Sequence, residues 1–483
     1  MKKTLIAIIC LLIGSVNLYA QNEIDALRYS RLNQSGTAKY MALGGAFTAL
    51  GGDFTTLSHN PAGIAIYKNS EVTFTPSIFI GNTQATYFGE TNEDYRYNFN
   101  LGNIGVVMVT SPALRNPSSP WKNVQFGFGL NRLANFNNRV VIDGFNETSS
   151  YLTSYIDDAD GLAPGDLDNF GTGLAYDTEL LYEIDTLNHH YYIDMPNGGV
   201  RQRKTIDSKG SINELVFSFG GNYNDRIYLG GTIGVPYIKY KETSIYSETD
   251  ELESNNYFKS FTRTDKLETS GTGLNLKLGM IVRAADWLRV GGAIETPTFY
   301  TDMSDTYSTT FRAVYETSGT KRSSADGFFE YELNTPFKAS AGIGLIIGKV
   351  GIISADYEYL DYSTARLRSE EYDFDAENSA IKTSYVKAHN IRLGTEWRYG
   401  SLSFRGGYGI SDNPYKYGTN SVMSSYSAGL GIRTGNFFVD MAWVMSNMDD
   451  EYYLYSAPAG TDPAIADATI NNNMFLVTLG FKY

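Results

Sequence analysis

Four histidines, one cysteine and a few paired carboxylates are the residues through which this chain could do covalent or metal chemistry, and their spacing supports little of it. His189 and His190 are adjacent and flanked by Asp185 and Asp194, side chains of a kind that hold a metal ion or haem. Neighbours on a strand point to opposite faces, so a solvated loop is the better reading. His59 and His389 have no serine–acid context that would activate a nucleophile. Asp356 and Glu358 share one face of a strand and could act as an acid/base pair. Arg392, Glu396, Arg398 and Arg405 are expected on the same interior, which makes structural ion pairing the stronger expectation. Residues 143–185 are rich in Asp and Glu, a solvated acidic face with some capacity for divalent cations. No catalytic residue, resident metal or cofactor is expected.

The elements that must carry these residues begin with an address. Lys2 and Lys3 precede an apolar run from Leu5 to Ile13, and Leu18-Tyr19-Ala20 comes just before Gln21, the layout of a secretory signal peptide over 1–20. Cys10 lies inside that apolar run, preceded by Ile9, so lipidation is disfavoured and the remaining chain is cysteine-free. That leaves no disulfide, thiolate metal site or cysteine nucleophile. The net charge is −14, and removing two lysines makes it about −16, which repels a phosphate backbone; nucleic acid is not an expected partner. Beyond residue 20 no stretch approaches the roughly 18 consecutive apolar residues of a spanning helix. The exported chain is therefore soluble or crosses as a barrel, and with no Pro- or Ser-rich linker it reads as one continuous domain.

Period-two alternation runs through most of the rest, the signature of strands. From Ser401 to Ile410 the even positions are apolar, aromatic or glycine and the odd ones small or charged. Val72, Phe74, Ile78 and Ile80 oppose Glu71, Thr73, Thr75 and Ser77; Leu274, Leu276, Leu278 and Met280 oppose Asn275 and Lys277. A soluble sandwich alternates too. The tail decides more, because Phe475 to Tyr483 is an alternating strand with an aromatic last residue, similar to the closing strand of outer-membrane barrels. Alternating runs fall near 70–88, 95–110, 122–142, 201–222, 225–246, 257–283, 286–302, 326–347, 349–363, 380–398, 400–412, 420–434, 436–455 and 470–483. These are fourteen, an even number as single-chain barrels require. At about 30 residues per strand plus loop, against roughly 9–11 needed to cross, the strands overshoot the bilayer or carry long loops. Tight links such as Asn224-Asp225 and Tyr399-Gly400 alternate with long polar ones at 143–200 and 364–379, matching periplasmic turns and external loops. The 37 tyrosines suit interfacial girdles.

Residues 21–69 do not alternate. Met41, Leu43, Phe47, Leu50, Phe54 and Leu57 recur at spacings of mostly three and four among small residues, as short helical turns in a confined space would. Asp53 is placed to cap one turn and Asn60-Pro61 to stop it. The glycine pairs at 44–45 and 51–52 do not form a phosphate loop and serve close packing.

Gly44-Gly45-Ala46-Phe47, then Leu50-Gly51-Gly52-Asp53-Phe54, then Asn60-Pro61-Ala62-Gly63 resemble the amino-terminal hatch of the FadL/TodX outer-membrane family, with its Asn-Pro-Ala signature. The likeness covers 36–63 and continues more loosely through Thr335-Pro336-Phe337-Lys338 and 356–362. It implies an all-β, 14-stranded antiparallel transmembrane β-barrel whose lumen holds a plug of short helices: signal peptide 1–20, hatch 21–69, barrel 70–483. It implies a cell outer membrane of Gram-negative type, both termini on the periplasmic side, and passive import of hydrophobic small molecules, most plausibly long-chain fatty acids. Asn60, Pro61, Ala62 and Gly63 would hold the blocked pathway, and Leu43, Phe47, Leu50, Phe54 and Leu57 would line the hatch or ligand path. The expected surroundings are a hydrophobic ligand such as a long-chain fatty acid, outer-membrane lipid and lipopolysaccharide, around a monomer.

The family opens its wall at a distorted third strand. Here Val124, Phe126, Phe128 and Leu130 keep a lipid phase that next meets Arg132. An arginine facing mid-bilayer would cost about 2–4 kcal/mol, so a bulge, kink or emergence from the membrane is expected around 130–138: either Arg132, Asn135 and Asn138 stand at a lateral opening, or Arg132 already sits above the bilayer. The competing readings are a surface adhesin or structural barrel, which long loops permit, and a barrel hydrolase of lipase or omptin type, which lacks its nucleophile or acid–histidine context.

Overall fold

The computed structural model describes residues 22–32, 35–112, 118–194, 198–418, 421–455 and 464–483. The segment read as a signal peptide, with Cys10, lies outside them.

The alternating runs become strands whose apolar face is the exposed one. Leu274, Leu276, Leu278 and Met280 are 43–54% exposed, while Asn275 and Lys277 between them are 3% and 1% exposed. A sheet packed on an oily core would show the reverse, so this wall is built to meet acyl chains outside and polar groups within.

The wall starts with β1 (Glu71–Tyr87) and β2 (Glu90–Thr110). The third crossing is in two pieces, β3 (Trp121–Asn135) and β4 (Asn138–Asn146), followed by a loop holding a small ribbon, β5 (Tyr182–Asp185) and β6 (His190–Tyr192). Next come β7 (Val200–Tyr223), β8 (Ile227–Thr249) and β9 (Phe258–Ala285). β10 (Leu288–Glu295) continues as β11 (Phe299–Tyr315), and the chain returns through β12 (Gly319–Ser323), β13 (Gly327–Asn334) and β14 (Lys338–Ile347). β15 (Gly351–Asp361), β16 (Arg366–Arg368), β17 (Lys387–Tyr399), β18 (Leu402–Ser411), β19 (Met423–Thr434), β20 (Phe437–Tyr453) and β21 (Ile465–Lys482) complete the circuit. Every neighbour is antiparallel, and β21 closes on β1 with Glu71 opposite Lys482 and Phe74 opposite Leu479. With broken crossings counted once, the sheet is a closed barrel of fourteen strands.

On β8 the outward residues Leu229, Ile233, Val235 and Tyr237 give way to Lys239 and Lys241, marking one edge of the apolar belt. β9 has 28 residues, far more than a crossing requires, and overshoots that belt on the long-loop side.

Two expectations need correction. The run taken as a strand from 380 begins as a helix, Asp375–Ser384, and the strand starts at Lys387; Ile381 alone is fully buried there, a one-sided contact that period-two reading cannot separate from a strand. The long loop at 143–200 is also not featureless: β4 runs to Asn146, and two short helices, Thr153–Ala159 and Thr172–Asp177, bury Tyr155, Leu174 and Ala175 against the wide end of the barrel.

Candidate functional site

The lumen is filled by residues 22–32 and 35–67. Helix α1 (Glu23–Ser30) is capped by Asn22, and α2 (Ala38–Ala42) by Thr37. Two 3-10 turns follow, Phe54–Ser58 with Asp53 as its cap and Pro61–Ile66 with Asn60 as its cap. Asn60-Pro61 therefore starts a turn rather than stopping one: the Asn60 side chain accepts from Ala62 N at 3.1 Å, and proline at the first position needs no donor.

The plug reaches the wall because the wall has lost side chains where the two meet. A Cβ on Gly105 would stand 2.1 Å from the Phe54 ring, and one on Gly279 1.9 Å from Asn60 Oδ1. Gly127 likewise admits Leu57, and Gly344 admits Leu50. Leu43, Phe47, Leu50, Phe54 and Leu57 are all at most 5% exposed, so in this conformation they seal the lumen instead of lining an open path. These inward glycines were the functional signal the sequence reading missed; they alternate with the outward apolar residues and could have been found by asking which inward positions lack a side chain.

Polar ties complete the seal. Asn60 Nδ2 donates to Thr48 O at 2.6 Å, Thr48 N to Asp356 Oδ2 at 2.7 Å, and His59 Nε2 lies 2.9 Å from Thr48 Oγ1. Gln125 Nε2 donates to Tyr67 O at 2.8 Å and Asn131 Nδ2 to Ser58 Oγ at 2.8 Å. Pro61, Ala62 and Gly63 sit in the turn that Asn60 caps, with Ala62 fully buried.

Thr48, His59 and Asp356 form a hydroxyl–imidazole–carboxylate group, yet not a hydrolytic one. The carboxylate, 3.6 Å away, approaches the same Nε2 that meets the hydroxyl, whereas a triad needs it on the other ring nitrogen. Three other interior carboxylates are ion-paired: Glu358 with Arg392 at 2.8 Å, Glu396 with Arg398 and Arg405, each at 2.6 Å, and Asp440 with Arg405 at 2.5 Å. The four histidines do not converge. His189 meets Glu183 at 2.7 Å and His190 meets Asp160 at 3.1 Å, not Asp185 and Asp194, because the ribbon turn carries the two rings apart. His389 lies 2.6 Å from the Tyr357 hydroxyl. Among the described residues no group of three or more such side chains could hold a metal ion.

The wall has one joint unlike the others. β3 pairs with β2 only from Asn103 to Thr110, its ladder with β7 slips between Arg132 and Ala134, and the strand stops at Asn135 before resuming as β4. β4 pairs with β7 alone, so residues 90–102 of β2 have ladder partners on β1 but not on their other edge. The inner face of β2 instead overlaps the outer face of β4 and β7. Asp94 meets Arg139 at 3.4 Å, Arg96 meets Asp207 at 3.2 Å, and Glu90 meets Arg201 at 2.7 Å. The result is a lap joint held by side chains, whereas the seams β7–β8 and β20–β21 carry unbroken backbone ladders along their length. Outside it Tyr97 and Phe99 are 69% and 76% exposed.

Arg132, Asn135 and Asn138 all lie at this joint. Arg132 Nε donates to Leu101 O at 3.1 Å, Asn135 Nδ2 reaches Asn98 Oδ1 at 3.5 Å, and Asn138 accepts from Thr83 Oγ1 at 3.1 Å. Helix α1 backs the joint from within: the Tyr29 ring stands 6.0 Å from that of Phe136, and Ser35 N donates to Arg132 O at 3.1 Å.

The fold has solved counterparts. Over 93% of this chain and 99% of the other, the P. putida toluene transporter TodX superposes with a TM-score of 0.56 at 11% identity. This is the FadL/TodX fold. A Pseudomonas aeruginosa FadL homologue gives 0.55 at 12% identity over 93% of this chain and 98% of its own. The Ralstonia pickettii toluene transporter TbuX gives 0.53 at 13% identity over 93% and 99%. No protein-family model and no curated protein matches the sequence.

Proposed function

We propose that this chain is an outer-membrane channel of the FadL/TodX type that passively imports hydrophobic small molecules, with long-chain fatty acids as the favoured cargo and the lap joint as the sideways exit. The observation that carries the reading is the pairing of a plugged lumen with the lap of β2 over β4 and β7, where side chains take the place of a backbone ladder. In this reading residues 1–20 are cleaved, 21–69 are the hatch and 70–483 the barrel, both termini face the periplasm, and the protein works as a monomer in a Gram-negative outer membrane. Asn60, Pro61, Ala62 and Gly63 hold the hatch shut, and Leu43, Phe47, Leu50, Phe54 and Leu57 form the surface along which a ligand passes when it shifts.

The energetics are favourable without external work. A chain of about fifteen methylenes gains up to about 12 kcal/mol gross on leaving water, at about 0.8 kcal/mol each. Leaving an apolar pocket sideways into lipid exchanges one apolar environment for another and is nearly level. Separating the plies of the lap breaks ion pairs between partly exposed side chains, worth about 0–1 kcal/mol each, and no backbone ladder.

Uptake of labelled palmitate and labelled toluene into cells with and without the protein tests this. The reading expects several-fold faster entry of at least one hydrophobic solute, with palmitate the faster; equal rates for both with and without the protein would contradict it. An absence of ester or peptide hydrolysis by the purified protein separates it from a barrel hydrolase.

A further inference from the structure

The lap joint leaves a group of cations on the outer wall that the transport reading does not use. The outward row Arg132, Asn213 and Tyr237 runs across β3, β7 and β8, each residue directly opposite the next. One step further toward the long loops Ser211 faces Lys239, and the step after that places Lys209 opposite Lys241. Two like charges directly opposite each other on one sheet face destabilise it unless an anion lies between them.

The anions within the protein are largely committed elsewhere. Asp207 is bound by Arg96 at 3.2 Å and stands 3.7 Å from Lys209, and Glu268 takes Lys241 at 2.7 Å. Among the described residues neither Lys239 nor Arg132 has a carboxylate partner; the Arg132 Nε donates only to a carbonyl. In a chain of net charge −14, these four cations have two carboxylates beside them, Glu268 on Lys241 and Asp207 shared between Lys209 and Arg96, which leaves a local excess of positive charge.

Position states what the missing anion is attached to. On β8 the outward residues below Lys239 are Tyr237, Val235 and Ile233, and on β7 those below Ser211 and the buried Asn213 are Leu215, Phe217 and Phe219. Lys239 and Lys209 therefore stand at the edge of the apolar belt, the level of lipid headgroups, with acyl-chain surface directly beneath. Lysine ammonium groups on flexible stems and an arginine fork suit phosphate oxygens.

We infer that Arg132, Lys209, Lys239 and Lys241 form a binding site for the phosphorylated headgroup of an outer-leaflet glycolipid, whose acyl chains run down over Leu215, Phe217 and Ile233. This rests on the transport reading only in taking the long-loop end as external. Seated there, the lipid covers the outside of the lap joint and neutralises the facing lysines.

The test uses the full-length barrel purified in detergent and titrated with bis-phosphorylated lipid A, read by native mass spectrometry for retained lipid and by thermal unfolding. The inference expects retained lipid and a raised unfolding temperature, at least tenfold weaker binding by the triple variant Lys209→Gln, Lys239→Gln, Lys241→Gln, and intermediate loss for Lys239→Gln alone. Heat-modifiable gel mobility verifies that the variants fold. Dephosphorylated lipid A binding as well as the phosphorylated form, or the triple variant binding as well as the wild type, would overturn it. Equal protection by inorganic phosphate would replace the lipid with a free ion, and equal protection by palmitate would replace it with a carboxylate; either overturns the assignment. Since these lysines lie outside the lumen, uptake of hydrophobic solutes measured in parallel separates the two claims: lost uptake with intact lipid binding sinks the transport reading alone.

Discussion

Arg405 is fully buried and carries two carboxylates, Glu396 at 2.6 Å and Asp440 at 2.5 Å. Arg405→Ala leaves Asp440 without its cation and Glu396 with Arg398 alone, a loss worth about 3–5 kcal/mol for a buried pair. Urea unfolding in detergent should shift by that amount, and an unchanged midpoint would show that water reaches this part of the lumen. Asp25 behaves differently, because burial pushes its carboxyl up to about 7 against the pull of Arg28, with Asp305 and Glu242 adding repulsion. A carboxylic acid whose folded pKa exceeds its unfolded value near 4 stabilises the docked helix below about pH 4 and loses that contribution as pH rises through 7. Exchange protection across 22–31, taken relative to the intrinsic amide rate at each pH, should therefore fall between about pH 4 and 7, and Asp25→Asn should remove that fall. Residue chemistry of this kind was half legible. The interior arginines and carboxylates could be paired from strand phase alone, but nothing in the order of residues brings Asp25 beside Asp305.

At the scale of elements, hatch and wall are fitted by subtraction. Gly279→Val sets a side chain where Asn60 Oδ1 now lies, 1.9 Å from the new Cβ, without touching the ladder between β8 and β9. The barrel should still insert while the hatch loosens, and sensitivity to a large hydrophilic antibiotic should rise several-fold; wild-type sensitivity would mean that the hatch relaxes without opening. The strands themselves were legible because a wall exposed to lipid on one face and to polar groups on the other enforces strict alternation. Arg132 breaking the lipid phase pointed to the distortion in the third crossing for the same reason. The helix at Asp375–Ser384 and the two in the loop after Asn146 were not, since each is short, buries few residues and has no capping side chain to mark its start. The inward glycines were visible as letters, but their meaning depends on a partner more than two hundred residues away, as with Asn60 and Gly279.

For the whole molecule, the surface is inverted relative to a soluble domain, and side chains take over from the backbone ladder where β2 overlaps β4 and β7. Hydrophobic solute is proposed to leave through that overlap. Asn98 and Asn135 meet across it with side-chain atoms 3.5 Å apart, so Asn98→Cys with Asn135→Cys places two thiols that a short, cleavable thiol-reactive cross-linker can bridge, in a chain that, read as processed, has no other cysteine. Uptake of a labelled hydrophobic solute should fall at least tenfold when the pair is bridged and recover when the linker is cleaved. Undiminished uptake through a barrel shown to be bridged would contradict the account.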